Sequence, residues 1–415
     1  MGALALAPGA QMRFSVRESR FLLMFAEGPI WAECLAGIAL ALLGLCLYAY
    51  LGYPAAARWL VRPLRPRWIP PLREHWPRIS VLIAARNEVS VIRRRVENLL
   101  SQDYPEDRLE ILVVSDASDD GTDEAVRAFD DPRVRLLRQA TRRGKTAGIN
   151  RLGRAATGEI FVQTDANVVF APLVLQALVR AFDDPGVGVA IGEVCFTNGD
   201  DPVVASGEGL YWRYETWTKH VEASRGLLAV ANGGVYALRA ELWQELPESV
   251  AGDAAEPLLA ACAGFRTVVA PGAVAYERAA ASHREEYERK VRIIAQQVSC
   301  AAWLGLGRLP ARTAWAYFSH KLLRYAVPFM AADALILGLV ATLAGSRFGA
   351  LAAGLVLLPL LLAPLGLISW PRPVARVFRV PLYLLVINLA AAAGVLRGLA
   401  GRAEATWEVP PSTRQ

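Results

Sequence analysis

The chain has 415 residues, of which 54% are hydrophobic and 20% are charged, and its net charge is +6. Its mean hydropathy of +0.29 exceeds that of most soluble proteins of this size, and the apolar excess lies at the two ends, so we expect one soluble domain flanked by membrane spans. The arginines form no periodic stripe with interleaved aromatic residues, which argues against a nucleic-acid partner, and the five cysteines form no CxxC pair, which argues against a zinc site or a disulfide framework.

The N-terminal part of the chain predicts one membrane span followed by a basic linker. Residues 1–29 have no firm assignment, because their apolar run is too short to cross a bilayer and no convincing signal-peptide cleavage site follows it. Residues 30–52 are apolar and long enough for one spanning helix. Residues 53–76 form a proline-rich linker whose arginines place the next domain in the cytoplasm. These arginines are Arg58, Arg62, Arg65 and Arg67.

Residues 77–281 alternate between apolar strand patterns and helical patterns. Strands are predicted at 79–84, 110–114, 134–137, 160–163 and 187–191, and helices at 89–100, 123–129, 146–156, 173–182 and 203–222. Strands that alternate with helices of this length predict an α/β domain with a parallel sheet covered on both faces. In such sheets, ligands bind beyond the carboxyl ends of the strands.

The C-terminal third predicts interfacial helices and further spans. Residues 282–325 contain two amphipathic helical patterns that fit the membrane interface. Residues 326–400 contain three apolar spans, and residues 401–415 form a tail. The spans lie at about 326–343, 351–368 and 382–399. Three spans after a cytoplasmic domain put the tail outside, where Arg397 and Arg402 contradict the positive-inside rule, so either an interfacial segment is a span or the rule is weak here.

Three charged residues near predicted strand ends suit a nucleotide ligand. Glu88 follows the first strand and can accept a hydrogen bond from a ribose or base, although an exposed loop carboxylate is the simpler interpretation of Glu88 alone. Asp116 ends the second strand and can hold a ribose or a base edge. Lys145 lies at a helix start, where it can reach a phosphate with help from the helix N-terminus. The alternative for Lys145 is a solvated basic turn.

Two further motifs suit a metal and a general base. Asp165 follows the most apolar strand and Asn167 comes two residues later, so their oxygens can hold Mg²⁺ or Mn²⁺ against a diphosphate. An ordinary strand-end turn is the alternative for this motif. Asp253 precedes an apolar helical stretch, so it either caps that helix or takes the proton of an attacking sugar hydroxyl.

The order of these motifs resembles that of family 2 inverting glycosyltransferases of the membrane-bound type, such as the cellulose, hyaluronan and poly-N-acetylglucosamine synthases. The resemblance extends from about Pro77 to Trp303, together with the arrangement of spans. It depends on the ordered set, since no single motif is specific. The motifs are residues 85–88, 115–122, 144–150, 165–167, 208–215, 232–239, 253–258 and 289–292.

The resemblance implies a GT-A fold, which is Rossmann-like with a mostly parallel sheet, and a nucleoside diphosphate sugar as donor. It implies that Asp116 holds the nucleoside, Asp165 the metal, and that Asp253 is the base. Arg292 is similar to the arginine of the QxxRW motif, which faces the diphosphate. The aromatic residues that would line the acceptor path, unless they are ordinary core residues, are Tyr211, Trp212 and Trp217.

The chain departs from the family pattern at three motifs. The metal motif is Asp-Ala-Asn rather than Asp-x-Asp. The base motif is Gly252-Asp253-Ala254, without a preceding second acid or a following aromatic residue. The helix of Arg292 lacks the Gln and the Trp of QxxRW, which weakens a prediction of processive synthesis.

These expectations combine into one hypothesis with two alternatives. We expect a multi-pass enzyme of the plasma membrane with a cytoplasmic catalytic domain, which uses a UDP-sugar and Mg²⁺ or Mn²⁺ to extend a glycan or a lipid-linked acceptor in cell-surface polysaccharide synthesis, with or without an accessory subunit. The first alternative is transfer of a single sugar to a lipid carrier. The second is a catalytically weak membrane subunit that binds a nucleotide or a partner glycosyltransferase.

Overall fold

The computed structural model describes residues 28–64, 75–197, 209–278, 282–368, 370 and 372–406. Within these residues the chain forms two compact units: 28–46 with 329–361, and the remaining described residues. Four expectations lie at least partly outside the described residues: the N-terminal segment 1–29, the linker arginines Arg65 and Arg67, the first part of the predicted helix 203–222, and the end of the tail beyond residue 406.

The larger unit contains the catalytic-domain strands that the sequence predicts, with three additions. The strands are β1 (Ile79–Ala85), β2 (Leu109–Asp116), β3 (Val134–Gln139), β4 (Ile160–Asp165), β5 (Val169–Phe170), β6 (Val187–Phe196), β7 (Tyr236–Arg239) and β8 (Arg266–Glu277). The apolar runs of β1 and β2 are almost wholly buried, because helices cover both faces of the sheet.

The helices follow the predicted alternation and then become long and apolar. They are α1 (Ile30–Leu47), α2 (Tyr53–Leu60), α3 (Val89–Leu100), α4 (Thr122–Arg127), α5 (Lys145–Ala155), α6 (Val174–Arg180), α7 (Gly209–Ala223), α8 (Gly252–Cys262), α9 (His283–Leu304), α10 (Ala311–Tyr317), α11 (Leu323–Leu343), α12 (Arg347–Leu362) and α13 (Arg372–Leu399). A π-helical turn at Tyr48–Gly52 joins α1 to α2, and another at Phe318–Leu322 joins α10 to α11.

The eight described strands form one mixed sheet in the order β3-β2-β1-β4-β7-β6-β8-β5. Strands β3, β2, β1 and β4 are parallel neighbours, whereas β7 runs antiparallel to both β4 and β6. Ala84 is paired with Asp165, and Ala85 is paired with Ser115, which precedes Asp116. The predicted GT-A-type sheet is therefore confirmed, and its carboxyl edge brings the acidic motifs together.

Two hydrophobic clusters cover the two faces of this sheet. One contains Ile83 and Val113 and packs under α3 and α6, and the other contains Leu82 and Val114 and packs under α5. Alternate residues of each strand thus serve opposite faces, as a doubly covered sheet requires.

Four described helices are long and apolar enough to cross a membrane: Ile30–Leu60, Ala311–Leu343, Arg347–Leu367 and Val377–Leu399. In the smaller unit, small residues let the helices approach closely, as is common in membrane helices. A Cβ atom added to Gly349 would lie 2.8 Å from the carbonyl oxygen of Gly338. In the same unit, Ser346 Oγ donates to Glu33 Oε2 at 3.0 Å.

A buried ion-pair cluster in the larger unit joins α7 to the segment that leads into α11. Glu215 Oε2 accepts from His320 Nε2 at 3.0 Å and from Arg324 Nη1 at 2.9 Å, and Glu215 Oε1 accepts from Lys321. Burial opposes the charge of Glu215, but these neighbours outweigh it and hold its pKa well below the usual value. The predicted interfacial pattern at 313–325 thus pairs with α7 of the larger unit and continues into α11.

Candidate active site

A cavity of about 350 Å³ opens at the carboxyl edge of the sheet. It is bounded by the ends of β1, β4 and β8, by the starts of α5 and α8, and by α7, α9 and α13. Eight of the ten residues predicted from the sequence line it: Glu88, Lys145, Asp165, Asn167, Tyr211, Trp212, Asp253 and Arg292. The other two, Asp116 and Trp217, are not among its lining residues in the described part of the chain.

Lys145 and Asp165 form an ion pair inside the cavity. Lys145 is the first residue of α5, and its Nζ donates a hydrogen bond to Oδ1 of Asp165, the last residue of β4. Burial favours the neutral amine, but Asp165 and Asp253 together outweigh burial and raise the pKa of Lys145. A fixed cation therefore stands at a helix N-terminus, where a phosphate would also meet backbone N–H groups.

Asp116 holds the loop that leads to Lys145. Its carboxylate is fully buried at the end of β2 and accepts from the backbone N–H groups of Arg143, at 2.8 Å, and Gly144, at 2.9 Å. Gln139 Nε2 donates to the same carboxylate at 2.8 Å. Asp116 thus orders the loop before α5, and its direct contact with a nucleoside stays a prediction.

Asp253 is the second residue of α8 and faces Lys145 across the backbone of Gly233. A Cβ atom added to Gly233 would lie 3.2 Å from Asp253 Oδ2 and 3.8 Å from Lys145 Nζ. Ala251 occupies the N-cap position of α8 and no side chain caps the helix, so the structure does not use Asp253 as a cap. Burial raises the pKa of Asp253, while Lys145 and Lys219 act in the opposite direction.

Oxygen donors for a metal lie beside Asp165. Asn167 Nδ2 donates to Glu277 Oε1 at 3.3 Å, and Glu277 ends β8. Burial and the nearby Asp165 raise the pKa of Glu277, and a cation between the carboxylates would relieve this repulsion. The described residues contain no group of three or more His, Cys, Asp or Glu side chains able to hold a metal. The set fits a hard cation that completes its shell with water and diphosphate oxygens.

Helix α9 supplies the cationic wall of the cavity. Burial and the nearby Arg289 lower the pKa of Arg292, whereas Asp165 and Asp253 act in the opposite direction. Arg289 and Lys290 are held by Glu286, at 2.7 Å and 3.5 Å respectively. The sequence predicted one cation on this helix, Arg292, but two more, Arg289 and Lys290, also line the cavity.

Two of the three predicted acceptor-binding aromatic residues line the cavity, and the third does not. Tyr211 lines the cavity, with Lys290 Nζ 5.4 Å from its ring centroid. Trp212 also lines the cavity, but its Nε1 donates to the carbonyl of Val194 at 2.9 Å and its ring packs beside Phe196. Trp217 is 41% exposed and packs beside Tyr214, so no cavity contact supports its predicted role.

Sequence reasoning missed several charged residues of the cavity, among them the buried Lys219 and Glu256 and the half-buried Glu277. Lys219 Nζ donates to the carbonyl of Ala231 at 3.2 Å and to the side chain of Asn232, and burial and Lys321 lower its pKa to about 8. Glu256 accepts from Gln163 Nε2, and burial raises its pKa to about 7. Glu256 follows Asp253 by one helical turn, a spacing that could have signalled it.

Comparison with known proteins agrees with this geometry. Residues 80–242 match the family Glycosyl transferase family 2. A beta-monoglucosyldiacylglycerol synthase of Trichormus variabilis is 27% identical over 162 residues, which cover 38% of this chain and 34% of that protein. The succinoglycan biosynthesis protein ExoO of Rhizobium meliloti is 31% identical over 122 residues, which cover 29% of this chain and 34% of that protein. The chain thus spans about a third of the length of these curated relatives.

A solved structure is similar over a much larger part of the chain. The mannosyltransferase PcManGT from Pyrobaculum calidifontis, in complex with GDP-Man and Mn²⁺, is 28% identical and has a TM-score of 0.68. The similarity covers 89% of this chain and 99% of that one. Residues 80–242 therefore match a glycosyltransferase family 2 domain, and the fold of the chain is GT-A.

Proposed function

We propose that the protein is a membrane-bound inverting glycosyltransferase of the plasma membrane, with its catalytic domain in the cytoplasm. It moves a sugar from a nucleoside diphosphate sugar to a lipid-linked acceptor. The observation that carries the proposal is the convergence of Asp253, Lys145, Asp165 and Arg292 on one cavity. The lipid-linked acceptor is favoured because α13, a helix apolar enough to cross a membrane, forms part of the same cavity wall.

Asp253 is the proposed general base. The acceptor hydroxyl attacks the anomeric carbon from the side opposite the diphosphate, its proton passes to Asp253, and the sugar–phosphate bond breaks with inversion. A buried carboxylate with a raised pKa is suited to accept this proton near neutral pH. Lys145 and Lys219, which face Asp253 from α5 and α7, keep it ionised before the attack.

Lys145 of α5 and Arg292 of α9, which line the same cavity, are proposed to bind the diphosphate. The leaving nucleoside diphosphate gains negative charge as the bond breaks, so fixed cations stabilise the transition state. Asp165 and Asn167, with Glu277 beside them, are proposed to hold Mg²⁺ or Mn²⁺. A bound divalent cation supplies further neutralisation of the leaving group. Glu88 lines the same cavity beyond β1 and is proposed to position the nucleoside.

Polysaccharide synthesis is the second candidate, and the relative ExoO, a succinoglycan biosynthesis protein, favours it. Repeated transfer would need the acceptor end to stay beside Tyr211 and Trp212 after each addition. The chain lacks the aromatic residue that follows the arginine in QxxRW, since Ile293 follows Arg292. Transfer of one sugar per acceptor therefore fits the cavity better.

The test uses the full-length protein in nanodiscs with Mg²⁺ or Mn²⁺, lipid extract and a panel of UDP- and GDP-sugars. We expect diphosphate release with one donor and a lipid product that carries one added sugar. Long glycans would support the polysaccharide candidate. No turnover with any donor, together with unchanged donor binding in Asp165→Ala, would instead support a non-catalytic subunit. Asp107→Asn is the matched control, because Asp107 is exposed and lies just before β2, at the end of the strand opposite the cavity.

A further inference from the structure

Helix α13 contributes its middle to the active-site cavity. Ile387, Asn388 and Ala391 line the cavity that also contains Lys290 and Arg292. By length and composition, the segment Val377–Leu399 could cross a membrane, and Asn388 lies at its centre. The centre of a spanning helix lies in hydrocarbon, where a cavity lined by several charged side chains would be very unfavourable.

Helix α13 also packs in parallel against α9 over several turns. A Cβ atom added to Gly394 would lie 2.8 Å from Ile294 Cβ, and one added to Gly398 would lie 2.7 Å from Val298 Cβ. The two helices therefore approach each other closely at Gly394 and Gly398, where α13 has no side chains. Helix α9 begins with a strongly charged segment that lines the cavity. Its partner α13 therefore follows the surface of the domain that contains the sheet, residues 77–281, which we call the catalytic unit.

The chain after α13 remains beside the catalytic site. Gln296 Nε2 donates to the carbonyl of Glu404 at 3.0 Å. A Cβ atom added to Gly144 would lie only 2.0 Å from the carbonyl oxygen of Ala405, so the tail runs against the loop before α5. A helix of this length would carry its end about 40 Å away from its start if it ran along the membrane normal. Instead, both its middle and its end contact the catalytic unit.

The opposite face of α13 is apolar and exposed. Leu389, Leu396 and Leu399 are 54%, 60% and 72% exposed, whereas Tyr383 and Ala390 are buried on the face towards the catalytic unit. Arg397 and Arg402 lie at the exposed C-terminal end of this helix. An apolar face with arginines at its end is typical of helices that lie in a membrane interface.

We propose that α13 lies in the membrane interface instead of crossing the bilayer, and that with α9 it forms the membrane-side wall of the active-site cavity. Its exposed leucines then bind the lipid surface. The three remaining candidate spans place the tail on the same side as the catalytic domain, so Arg397 and Arg402 obey the positive-inside rule. This topology takes the cytoplasmic side of the catalytic domain from the proposed function but not its catalytic activity, because labelling and quenching measure position alone.

The first test is the side of the tail, measured by labelling with a membrane-impermeant maleimide in sealed right-side-out vesicles of the full-length protein. We expect Ser412→Cys to be labelled only after permeabilisation. Arg347→Cys, at the first residue of α12 after the turn that follows α11, is the matched control and is expected to be labelled without permeabilisation. The unmodified chain gives the background from its native cysteines. Labelling of Ser412→Cys in sealed vesicles would overturn the proposal.

The second test is the depth of α13 in nanodiscs, measured by quenching of a fluorophore attached to Leu389→Cys or Leu399→Cys with lipids spin-labelled at shallow and deep positions. An interfacial helix places both probes at the same shallow depth. A spanning helix separates them by about 15 Å and puts Leu389 near the bilayer centre. Unequal depths would overturn the proposal, as would no quenching at either site, which would assign this face to a protein partner. Ser101→Cys, exposed on the catalytic unit, is the unquenched control.

Discussion

Lys145 at the start of α5 donates a hydrogen bond to Asp165 at the end of β4. This pair joins the proposed phosphate-binding residue to the proposed metal ligand. A diphosphate bound beside this pair would meet the Lys145 ammonium group and the divalent cation that Asp165 is proposed to hold. Because Lys145 neutralises Asp165, neither residue presents an uncompensated charge at this edge of the sheet.

Replacing Lys145 with Met should weaken donor binding and slow transfer, because both the diphosphate and its leaving-group charge lose a fixed cation. We expect kcat/KM for the donor to fall by roughly a hundredfold, as for removal of one charge-stabilising group. Lys145→Arg should retain part of the activity. The measurement is steady-state kinetics in nanodiscs, and unchanged kinetics in Lys145→Met would exclude a phosphate-binding role.

Replacing Asp253 with Asn should abolish transfer and leave donor affinity nearly intact, because the amide cannot accept the proton while its size is unchanged. The expected loss in kcat is about a hundredfold to ten-thousandfold. Donor affinity is measured by calorimetry beside the turnover assay. Asp107→Asn, at an exposed position before β2, is the control carboxylate variant. Full turnover in Asp253→Asn would remove this residue from the mechanism.

Replacing Lys219 with Met should shift the acid limb of the pH–rate profile to higher pH. Lys219 lowers the pKa of Asp253, so its loss leaves the base protonated over a wider range. The other charged groups around Asp253 are Lys145, Asp165, Arg292 and Glu256, and they remain in the variant.

Lys219→Arg should restore the acid limb because it retains the charge. A purely structural role predicts lower activity with an unmoved limb in Lys219→Met, and that outcome would contradict the electrostatic explanation. Donor affinity at high pH provides the folding control for both variants.

Much of the sheet, and the residues at the ends of its predicted strands, followed from the local sequence pattern. Runs such as Ile79–Ala85 are buried on both faces, so they predict parallel strands, and residues at their ends share one edge. Asp116 and Asp165 could therefore be expected near each other, whereas Asp253 was assigned to the same site only through the family resemblance. Strand order could not be predicted, because periodicity does not specify neighbours: β7 inserts antiparallel between β4 and β6.

The residues that were missed depend on contacts distant in sequence. Glu277 meets Asn167 only because β8 returns beside the metal motif, 110 positions later. Lys219 is on a helix whose aromatic residues dominate its pattern, and its burial becomes evident only once Ala231 and Asn232 fold over it. Likewise, the local pattern of residues 313–325 gives no sign that His320 and Arg324 pair with Glu215, more than 100 positions earlier.

Replacing Glu256 with Gln should change the pH dependence of stability. The folded-state pKa of Glu256 is raised to about 7, so the folded protein binds the proton more tightly than the unfolded chain. The stability associated with this proton is present below the unfolded value of 4.5 and is lost as pH rises to about 7. Glu256→Gln removes this loss, by a few kcal/mol at most.

The measurement is the difference in Tm between Glu256→Gln and the unmodified protein from pH 5 to pH 8. We expect this difference to become more positive as pH rises. Glu241→Gln, on an exposed turn, should show no such trend. A constant difference across this range would mean that Glu256 does not titrate in it.

Replacing Gly144 with Ala should release the C-terminal tail from the catalytic unit. Gly144 has a φ of +96°, and the added Cβ would lie 2.0 Å from the carbonyl oxygen of Ala405, so the backbone of the tail must move. Gly264→Ala is the matched control, since its φ is +86° and nothing lies within 4 Å of the added Cβ. The control should lose only the conformational term of about 1–2 kcal/mol.

Limited trypsin digestion with a C-terminal tag measures the tail directly. Cleavage after Arg397 or Arg402 should be faster in Gly144→Ala than in Gly264→Ala or the unmodified protein, because a tail displaced from Gly144 and Gln296 exposes its backbone. Equal protection in all three proteins would show that the tail does not depend on this contact. Donor affinity measured on the same samples then separates movement of the tail from distortion of the loop that Asp116 holds.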